Sequence, residues 1–454
     1  MTGCCCSLVF LVTALASSGG ENIVSSDWPQ FQGPNRNGIS PETGLATTWP
    51  DTGPPVLWEA ALGVGYAGPA VRGDNVFLLD RKGDTQDILR CFELQTGIEI
   101  FAIPCDARGS TPYDGSRMPV TVNNGRVYGV GLMGDCYCFD VGTRTLVWRR
   151  NLPADFKIDL TRPNESCWGM AQCPLLYCDL LIVGLQCADR SMAALNPETG
   201  DTIWTAEQLG YQDYTMPTVA TLGGVEQLVM SGGAKAHARA APSGTIAGIS
   251  PQDGTTLWSV KEVWKCWTPV SPAVALSDDR FILTGGYDAG TAMLQVKREG
   301  DGFTVKELWH QEQCGSHIQM PIAFDGYLYE NTCENHHNNG MVCLSLDNGE
   351  IMWRTKGSKG DRRFERGPML LVDGMILNLS DVTGVLCLIK PSPKGYTELA
   401  AAKVLAGNQL WGYMAFSQGR LLLRNLTHMK CLDLRACETV KKGPDSPAKE
   451  TGSK

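Results

Sequence analysis

The stretch CLSLDNGEIMW, Cys343 to Trp353, decides the fold, because close copies of it recur along the chain. Each copy begins with a small or compact residue and ends on an aromatic ring, and most carry a Thr-Gly, Asn-Gly or Asp-Gly step between them. Glycine supplies the positive φ that tight hairpin turns need, so each copy predicts a β-hairpin. The other clear copies are CFELQTGIEIF (Cys91 to Phe101), CFDVGTRTLVW (Cys138 to Trp148), ALNPETGDTIW (Ala194 to Trp204) and GISPQDGTTLW (Gly248 to Trp258).

A second marker precedes each hairpin. It is a proline, replaced by alanine in the eighth copy, and successive markers lie 43 to 55 residues apart. Proline cannot donate to a strand ladder, so it predicts an edge strand. Another β-type run, such as Arg126 to Val130, lies between each marker and its hairpin, which gives four strands per unit. The markers are Pro69, Pro119, Pro174, Pro217, Pro272, Pro321, Pro368 and Ala415.

Eight four-stranded units predict an all-β, eight-bladed β-propeller of antiparallel blades over residues 56–435. The eighth unit lacks its outer strand after Asp433, whereas an unpaired strand with its own tryptophan, Val56 to Glu59, precedes the first marker. The N-terminal strand is therefore predicted to close the last blade. In the aromatic series, Leu399 takes the one non-aromatic place. Residues 17–55 are assigned to an N-terminal arm and residues 436–454 to a polar, disordered tail.

The first 16 residues are predicted to be a signal peptide. The apolar run Ser7 to Leu15 is followed by Ala14-Leu15-Ala16, which fits a small-x-small cleavage site. No later apolar run is long enough to span a membrane. The net charge of −9, without Lys/Arg-rich runs, argues against nucleic acid as a partner. We therefore expect a periplasmic or secreted monomer whose partner is an envelope protein or a small ligand.

The repeat resembles the tryptophan-docking motif of pyrroloquinoline-quinone (PQQ)-like propellers, and Asp27 to Gly38 (DWPQFQGPNRNG) resembles the start of their secreted members. The resemblance implies that each repeat tryptophan packs against the next blade. Those tryptophans are Trp58, Trp148, Trp204, Trp258, Trp309 and Trp353. Packing leads to the same expectation, because a radial fold needs a large buried ring at every joint between blades.

The family also contains quinoprotein alcohol dehydrogenases and the outer-membrane assembly propeller, so the fold does not choose a function. The dehydrogenases are similar to one another in an adjacent Cys-Cys disulfide and in acidic calcium ligands. After residue 6 this chain has no adjacent cysteines, and no convincing calcium set carries over. The sequence therefore predicts a non-catalytic binding or scaffold propeller with no cofactor. The alternative is a PQQ-dependent dehydrogenase that uses PQQ with calcium.

Successive strands of a blade run in opposite directions, so the loops that enter the blades all lie at the same end of the central channel. The residues before the markers then form an aromatic and cationic ring at this mouth, suited to an anionic or sugar-like ligand. The alternative is that the rings only fill a narrow channel. The candidate ligand-binding residues are Tyr66, Arg117, Trp168, Tyr214, Trp267, His317, Arg366 and Trp411.

Cysteine positions suggest packing more than chemistry. The repeat position held by Ala194 and Gly248 is taken in five other blades by cysteines that are expected to be small and buried: Cys91, Cys138, Cys343, Cys387 and Cys431. A separate group in the sixth blade allows three interpretations: a polar loop without chemistry, a disulfide between Cys314 and Cys333, or a weak metal site. The metal candidates are Cys314, His317, Cys333 and His336.

Overall fold

The computed structural model describes residues 27–160, 168–185, 189–210, 214–233, 244–261, 263–333, 340–355 and 363–436. The predicted signal peptide, the first part of the arm, all but the first residue of the predicted tail, and His336 lie outside these ranges. Among the described residues, no helix combines the length and the apolar character needed to cross a bilayer.

The described residues form an eight-bladed β-propeller of four-stranded antiparallel sheets, as predicted. Within each blade the strands follow one another outward from the axis, and we call them A to D. The first four blades consist of β3 (Ala70–Arg72), β4 (Asn75–Lys82), β5 (Gln86–Glu93) and β6 (Glu99–Asp106); β7 (Thr121–Asn123), β8 (Arg126–Val130), β9 (Asp135–Asp140) and β10 (Thr145–Asn151); β11 (Leu175–Tyr177), β12 (Leu180–Gly184), β13 (Arg190–Leu195) and β14 (Thr202–Glu207); and β15 (Thr218–Leu222), β16 (Val225–Ser231), β17 (Thr245–Ile249) and β18 (Thr256–Lys261).

The last four blades repeat this plan, and the prediction that an N-terminal strand closes the ring is confirmed. Strand D of blade 8 is β2 (Val56–Ala61), which pairs antiparallel with the last described strand. The other strands are β19 (Val274–Ala275), β20 (Arg280–Gly285), β21 (Gly290–Glu299) and β22 (Gly302–Gln311); β23 (Ile322–Phe324), β24 (Tyr327–Thr332), β25 (Gly340–Ser345) and β26 (Ile351–Arg354); β27 (Met369–Val372), β28 (Met375–Leu379), β29 (Val385–Ile389) and β30 (Glu398–Lys403); and β31 (Ala415–Ser417), β32 (Arg420–Arg424) and β33 (His428–Asp433).

A short helix, α1 (Leu152–Phe156), lies in the connection from blade 2 to blade 3. The side chain of Asn151 caps it by accepting the backbone N–H of Ala154, and a proline occupies its first turn. The chain leaves the helix through Lys157 in the left-handed conformation. The connections from D to the next A and the turns from B to C emerge at one end of the propeller, which we call the top face.

Every D strand contains a one-residue β-bulge close to its docking position. In blade 6, Cys343 pairs with Trp353 but Leu344 pairs with Ile351, so Met352 is the extra residue. A bulge re-aims the neighbouring side chain. Here the bulged residue is half-exposed and aliphatic, and the tryptophan beside it is turned into the joint with the next blade.

The docking tryptophans lie against the hairpin turn of the following blade. A Cβ added to the turn glycine Gly97 would come within 2.5 Å of the Trp58 ring, and one at Gly254 within 2.5 Å of Trp204. These glycines therefore serve both the positive φ of the turn and the close approach of the indole. Four indole N–H groups donate across the joint: Trp58 to Leu94 O (2.8 Å), Trp148 to Pro197 O (2.8 Å), Trp309 to Leu346 O (3.1 Å) and Trp353 to Ser392 O (2.7 Å).

The other four joints lack this hydrogen bond. Phe101 has no N–H to donate, and the Trp204 indole N–H has no hydrogen-bond partner among the described residues. The last two joints differ further. Blade 5 has a longer hairpin, and Trp258 of the preceding blade donates instead to the side chain of Gln227 in its own blade (2.5 Å). In blade 7, the residue opposite Cys387 is Ala401, and Leu399 is the bulge. The assignment of Leu399 to the docking place was therefore wrong, because the long turn before β30 moves the bulge by one position.

The five cysteines at the repeat position are fully buried, which confirms that they pack as small core residues. Burial raises the pKa of one of these thiols, Cys343, to about 11. It also raises the pKa of Cys105, a buried cysteine outside the repeat position, to about 11. Thiols that stay protonated in this way are poor nucleophiles and poor metal ligands.

The described part of the arm, residues 27–55, is packed against the end opposite the top face. Trp28 forms a bridge with Val71 in blade 1, and β1 (Ile39–Ser40) pairs parallel with β27, which gives blade 7 a fifth strand. The Glu42 carboxylate accepts the backbone N–H groups of Gln418 and Gly419. The arm thus ties blades 7, 8 and 1 together beside the closing strand, an arrangement that the sequence did not indicate.

We expect Trp58→Ala to lower the free energy of unfolding by about 3–5 kcal/mol, because it empties the joint at which the ring closes. The matched control is Leu57→Ala, the bulged neighbour, which is 39% exposed and should cost less than about 1 kcal/mol. Chemical denaturation followed by circular dichroism measures both. Equal losses in the two variants would contradict the assigned role of Trp58.

Candidate functional site

The loops of the top face surround a cavity of about 170 Å³ at the channel mouth. Seven of the eight residues singled out from the sequence line it, because the loop that enters each blade ends next to the axis. They are Tyr66, Arg117, Trp168, Tyr214, His317, Arg366 and Trp411. The eighth, Trp267, stands one layer behind and contacts the cavity through Tyr287, with ring centroids 4.8 Å apart. Ligand binding by these residues stays a prediction.

One wall of the cavity is a continuous stack of two arginines and two aromatic rings. Tyr66 and Trp411 are parallel, with centroids 5.2 Å apart and 17° between their planes. The Arg117 guanidinium lies 5.3 Å from the Tyr66 centroid, and Arg366 lies 5.3 Å from that of Trp411. Each cation is thus held over an electron-rich ring face, which fixes its position while its charge remains.

The opposite wall is aromatic. Trp168 and Tyr214 are stacked at 5.8 Å, and Tyr113 stands at an angle to both Trp168 (6.4 Å) and Trp411 (5.8 Å). Tyr113 joins the two walls into one ring. It lies in the connection from blade 1 to blade 2, six residues before the marker, and the sequence analysis did not identify it.

Tyr287 is a second residue that the sequence analysis missed. It occupies the two-residue turn between β20 and β21, where both Tyr287 and Asp288 have positive φ, at 57° and 63°. Glycine or asparagine is usual in such a turn, so a tyrosine there is held at some backbone cost. Its ring stands edge-on between Trp267 and His317, 4.8 Å from each. The alternation of strand direction could have identified Tyr287, since it places this B–C turn at the top face.

The buried imidazole of His317 is uncharged at neutral pH. Its Nδ1 accepts a hydrogen bond from Nε of Arg366 (3.0 Å), so the ring proton is on Nε2. Burial, and next the charge of Arg366, lower the pKa of His317 to about 3. His317 therefore orients one cation of the cavity without adding a second charge beside it.

The other cation, Arg117, is fixed by backbone. Its Nη2 donates to the carbonyl oxygen of Trp168 (2.6 Å) and to the hydroxyl of Thr111 (3.0 Å). Burial lowers its pKa, but an arginine remains protonated at any physiological pH. Both cationic side chains are thus pre-positioned in the structure.

The charge of the cavity opposes that of the chain. Its lining contains two arginines, and none of the sixteen described residues that line it is Asp or Glu, although the chain carries −9. Low-dielectric walls strengthen the field of buried charges. The cavity lining is therefore cationic and largely aromatic.

The channel is closed below the cavity by the N-terminal arm. The ring of Phe31 packs edge-on against Tyr413, which lines the cavity, at 4.7 Å. Phe31 is 2% exposed and belongs to the same buried hydrophobic cluster as Met118, Ala171 and Met216. The Arg36 guanidinium lies 5.9 Å from the Phe31 centroid. The mouth residues themselves leave a recess, while the arm fills the channel from the other end.

Behind the cavity wall stands the buried carboxylate of Asp381, in the turn between β28 and β29. Its Oδ2 accepts the indole N–H of Trp411 (3.1 Å). Its Oδ1 is buried and has no hydrogen-bond partner among the described residues. Burial is the main cause that raises the pKa of Asp381 to about 6.

Gln319, 1% exposed, supports the same wall from the axis. Its side-chain amide donates to the backbone carbonyls of Arg366 (3.1 Å) and Trp411 (3.0 Å). It therefore joins the loops that enter blades 7 and 8 to the loop that enters blade 6. Neither Gln319 nor Asp381 stands out in the sequence, because neither repeats at an equivalent place in other blades.

The cysteine and histidine group of blade 6 is divided among different partners. Cys314 and Cys333 are both in the thiol form. The Cys314 thiol lies beside the buried carboxylate of Glu330, which also accepts the hydroxyls of Thr284 and Thr291, whereas His317 faces Arg366. Within the described ranges, no three His, Cys, Asp or Glu side chains are grouped so as to hold a metal ion. His336 lies outside those ranges.

Comparison with known proteins gives a family and a fold. The profile of a protein family described as outer membrane protein assembly factor BamB matches residues 108–355. No curated protein sequence matches the chain.

Several solved structures have the same architecture. The quinohemoprotein alcohol dehydrogenase of Comamonas testosteroni has a TM-score of 0.60 at 12% identity, over 95% of this chain and 84% of its own. The enzyme ADHIIG of Pseudomonas putida HK5, also a quinohemoprotein alcohol dehydrogenase, has 0.58 at 10%, over 93% and 82%. The computationally designed protein Ika8 has 0.54 at 11%, over 86% and 100%. At these identities the likeness shows the fold alone.

The raised pKa of Asp381 predicts a pH-dependent stability. Because the folded state binds this proton more tightly than the unfolded chain, the stabilisation is complete below the unfolded pKa near 4 and is lost as pH rises through about 6. Asp381→Asn avoids that loss. Its stability relative to wild type should be about 1–3 kcal/mol more favourable at pH 7.5 than at pH 4.

Denaturant titrations at the two pH values measure this difference, and the control is Asp278→Asn, whose side chain is 54% exposed and pairs with Arg280 on the surface. The control should follow wild type within about 0.5 kcal/mol at both pH values. A relative stability of Asp381→Asn that does not change with pH would contradict the prediction.

Proposed function

We propose that this chain, which belongs to the family described as outer membrane protein assembly factor BamB, is an exported, non-catalytic propeller that binds a small anionic ligand in the top-face cavity. The observation that carries this proposal is the pair of stacked arginines in a lining without Asp or Glu. Export rests on the apolar run Ser7 to Leu15 and the cleavage pattern after it.

The walls favour a ligand that also has a flat face. Ring faces such as those of Trp168 and Trp411 stack on sugar or aromatic rings, while a guanidinium binds a carboxylate, sulfate or phosphate through paired N–H groups. A cavity of about 170 Å³ is small beside drug-sized pockets of roughly 300–1,000 Å³. We therefore infer a ligand of about one ring that bears one anionic group.

The family description favours a second candidate, a protein partner at the same face. An acidic side chain or a terminal carboxylate of such a partner offers the same anionic group to Arg117 and Arg366. The two candidates differ in the size of what binds, because a partner also needs contacts on the rim of the cavity. Co-purification of an envelope protein whose binding is lost in Arg366→Ala would support this second candidate.

The residues do not fit the quinone and calcium pair of the dehydrogenase alternative. Calcium takes six to eight oxygen ligands, mostly carboxylates, and none of the described residues that line the cavity is acidic. The chain also lacks adjacent cysteines after residue 6. We derive no reaction for this chain, and the likeness to dehydrogenases remains one of fold.

Ligand binding is testable by the fluorescence of the cavity tryptophans, with D-glucuronate and glucose as a charged and uncharged pair of probes. We expect glucuronate to bind at least tenfold more tightly than glucose. Arg117→Ala and Arg366→Ala should each weaken glucuronate binding by about tenfold or more, since a hydrogen bond to a charged group contributes about 1.5–3 kcal/mol. Equal binding of both probes, or binding of neither, would overturn the proposal.

The control variant is Arg144→Ala. This exposed arginine also lies over an aromatic ring, that of Phe101 at 5.5 Å, but it belongs to a hairpin turn on the face opposite the cavity. Its removal should leave glucuronate affinity within about twofold of wild type, because exposed cation–π pairs contribute only about 0.5–1 kcal/mol and this one does not touch the ligand.

The dehydrogenase alternative has its own measurement. After incubation with PQQ and calcium, we expect the protein to show no dye-linked oxidation of primary alcohols above a protein-free blank. Turnover that is retained in Arg144→Ala and lost in Arg117→Ala would establish the enzyme and overturn the non-catalytic proposal.

A further inference from the structure

Asp381 does not line the cavity, yet it holds one of its walls. Its Oδ2 accepts the indole N–H of Trp411, and its backbone carbonyl accepts the N–H of Leu410 (3.3 Å). Both contacts fix the loop that enters blade 8. Because Trp411 stacks on Tyr66 and lies beside Arg366, a change in the Asp381 carboxyl reaches the ligand side of the wall directly.

The carboxyl is poorly satisfied for a charged group. Asp381 is 4% exposed, and one of its two oxygens has no hydrogen-bond partner among the described residues. Desolvation without full pairing disfavours the ionised form. Among the described residues, the charged groups that act on it come from the loop entering blade 7: Glu365 also disfavours ionisation, while Arg366 favours it. The nearby His317 stays neutral over the same range, so it does not compete.

An anion in the cavity changes this balance. It would share the field of Arg366 with Asp381 and add a like charge on the far side of the Trp411 ring. Both effects disfavour the ionised carboxyl, so ligand and negative charge on Asp381 oppose each other. By linkage, whatever disfavours the charge when ligand binds also makes binding tighter when the charge is absent.

We propose that Asp381 is a positioning residue that takes up a proton when an anion binds, so that the affinity of the cavity for anions rises as the pH falls. The inference rests on the proposed function. It extends that function by adding regulation of the same site. Asp381 does not line the cavity and acts through Trp411 and Arg366, which do.

The direction and range follow from the same residue. Below about pH 6 the free protein already carries the proton, and affinity should reach a plateau. Above about pH 6, the affinity for the anion falls with rising pH until the ligand-bound protein also loses the Asp381 proton. If the ligand raises the pKa of Asp381 by one unit, the total difference is about tenfold.

The test is a titration with D-glucuronate between about pH 5 and pH 8 at constant ionic strength. This probe is suitable because a sugar carboxylate stays ionised throughout. Wild type is expected to bind about tenfold more tightly at the acid end. Calorimetry in buffers of different ionisation enthalpy should show net proton uptake on binding near pH 6.5.

Two variants separate charge from packing. Asp381→Asn keeps an acceptor for the Trp411 indole without a charge, so it should bind tightly and without pH dependence. Asp381→Ala removes the acceptor as well and should bind weakly at every pH. Glu365→Gln is the matched control, because it removes a neighbouring negative charge but keeps the titrating carboxyl; its pH dependence should persist.

The outcomes distinguish this inference from the function on which it rests. Binding by wild type that does not change with pH, or pH dependence that survives in Asp381→Asn, would overturn the role of Asp381 and leave anion binding intact. Absence of glucuronate binding at every pH would overturn the proposed function itself.

Discussion

The contact between an indole and the hairpin turn of the next blade is the interaction on which the rest of the structure depends. A single blade is a small sheet that cannot bury both faces alone. The indole of Trp309 reaches the turn at Gly349, and that of Trp148 the turn at Gly200, only because a bulge turns the ring out of its own sheet and the glycine leaves room. Eight joints, six of them with a docking tryptophan, must close a circle, and Trp58 closes it with a strand from the other end of the chain.

Closure of the ring also determines where a cavity for a ligand can form. Since every blade has the same strand order, all entering loops converge on one end of the axis, and the A–B turns converge on the other. The arm covers the second end with Trp28 and β1 and sends Phe31 into the channel. With the channel filled from that side, the side chains of the top loops need not meet at the axis. The cavity exists because the arm fills one end of the channel, so the top-face loops do not have to fill the whole centre.

The repeats made the fold readable from sequence, because hairpin turns, edge prolines and docking rings have local signatures that recur in register. The alternation of strand direction then predicted which residues lie at the channel mouth. Arg117 and Trp411 come from loops almost 300 residues apart and line one cavity there. Features that occur once were not predictable in this way. The parallel strand β1, the left-handed Tyr287 and the buried Asp381 depend on neighbours brought near by the closed ring. The bulge that moved the docking place from Leu399 to Ala401 depends on the length of one turn.

The charges at the mouth favour the proposed ligand recess over a simple plug. Filling a channel requires volume alone, and the aromatic rings together with Met118 and Met216 would supply it at no electrostatic cost. Burying Arg117 and Arg366 carries a desolvation cost, and each is held by a specific acceptor, a backbone carbonyl in one case and the neutral imidazole of His317 in the other. Both of these acceptors are uncharged. Two positioned cations that line a small cavity therefore support the proposal that an anion binds there.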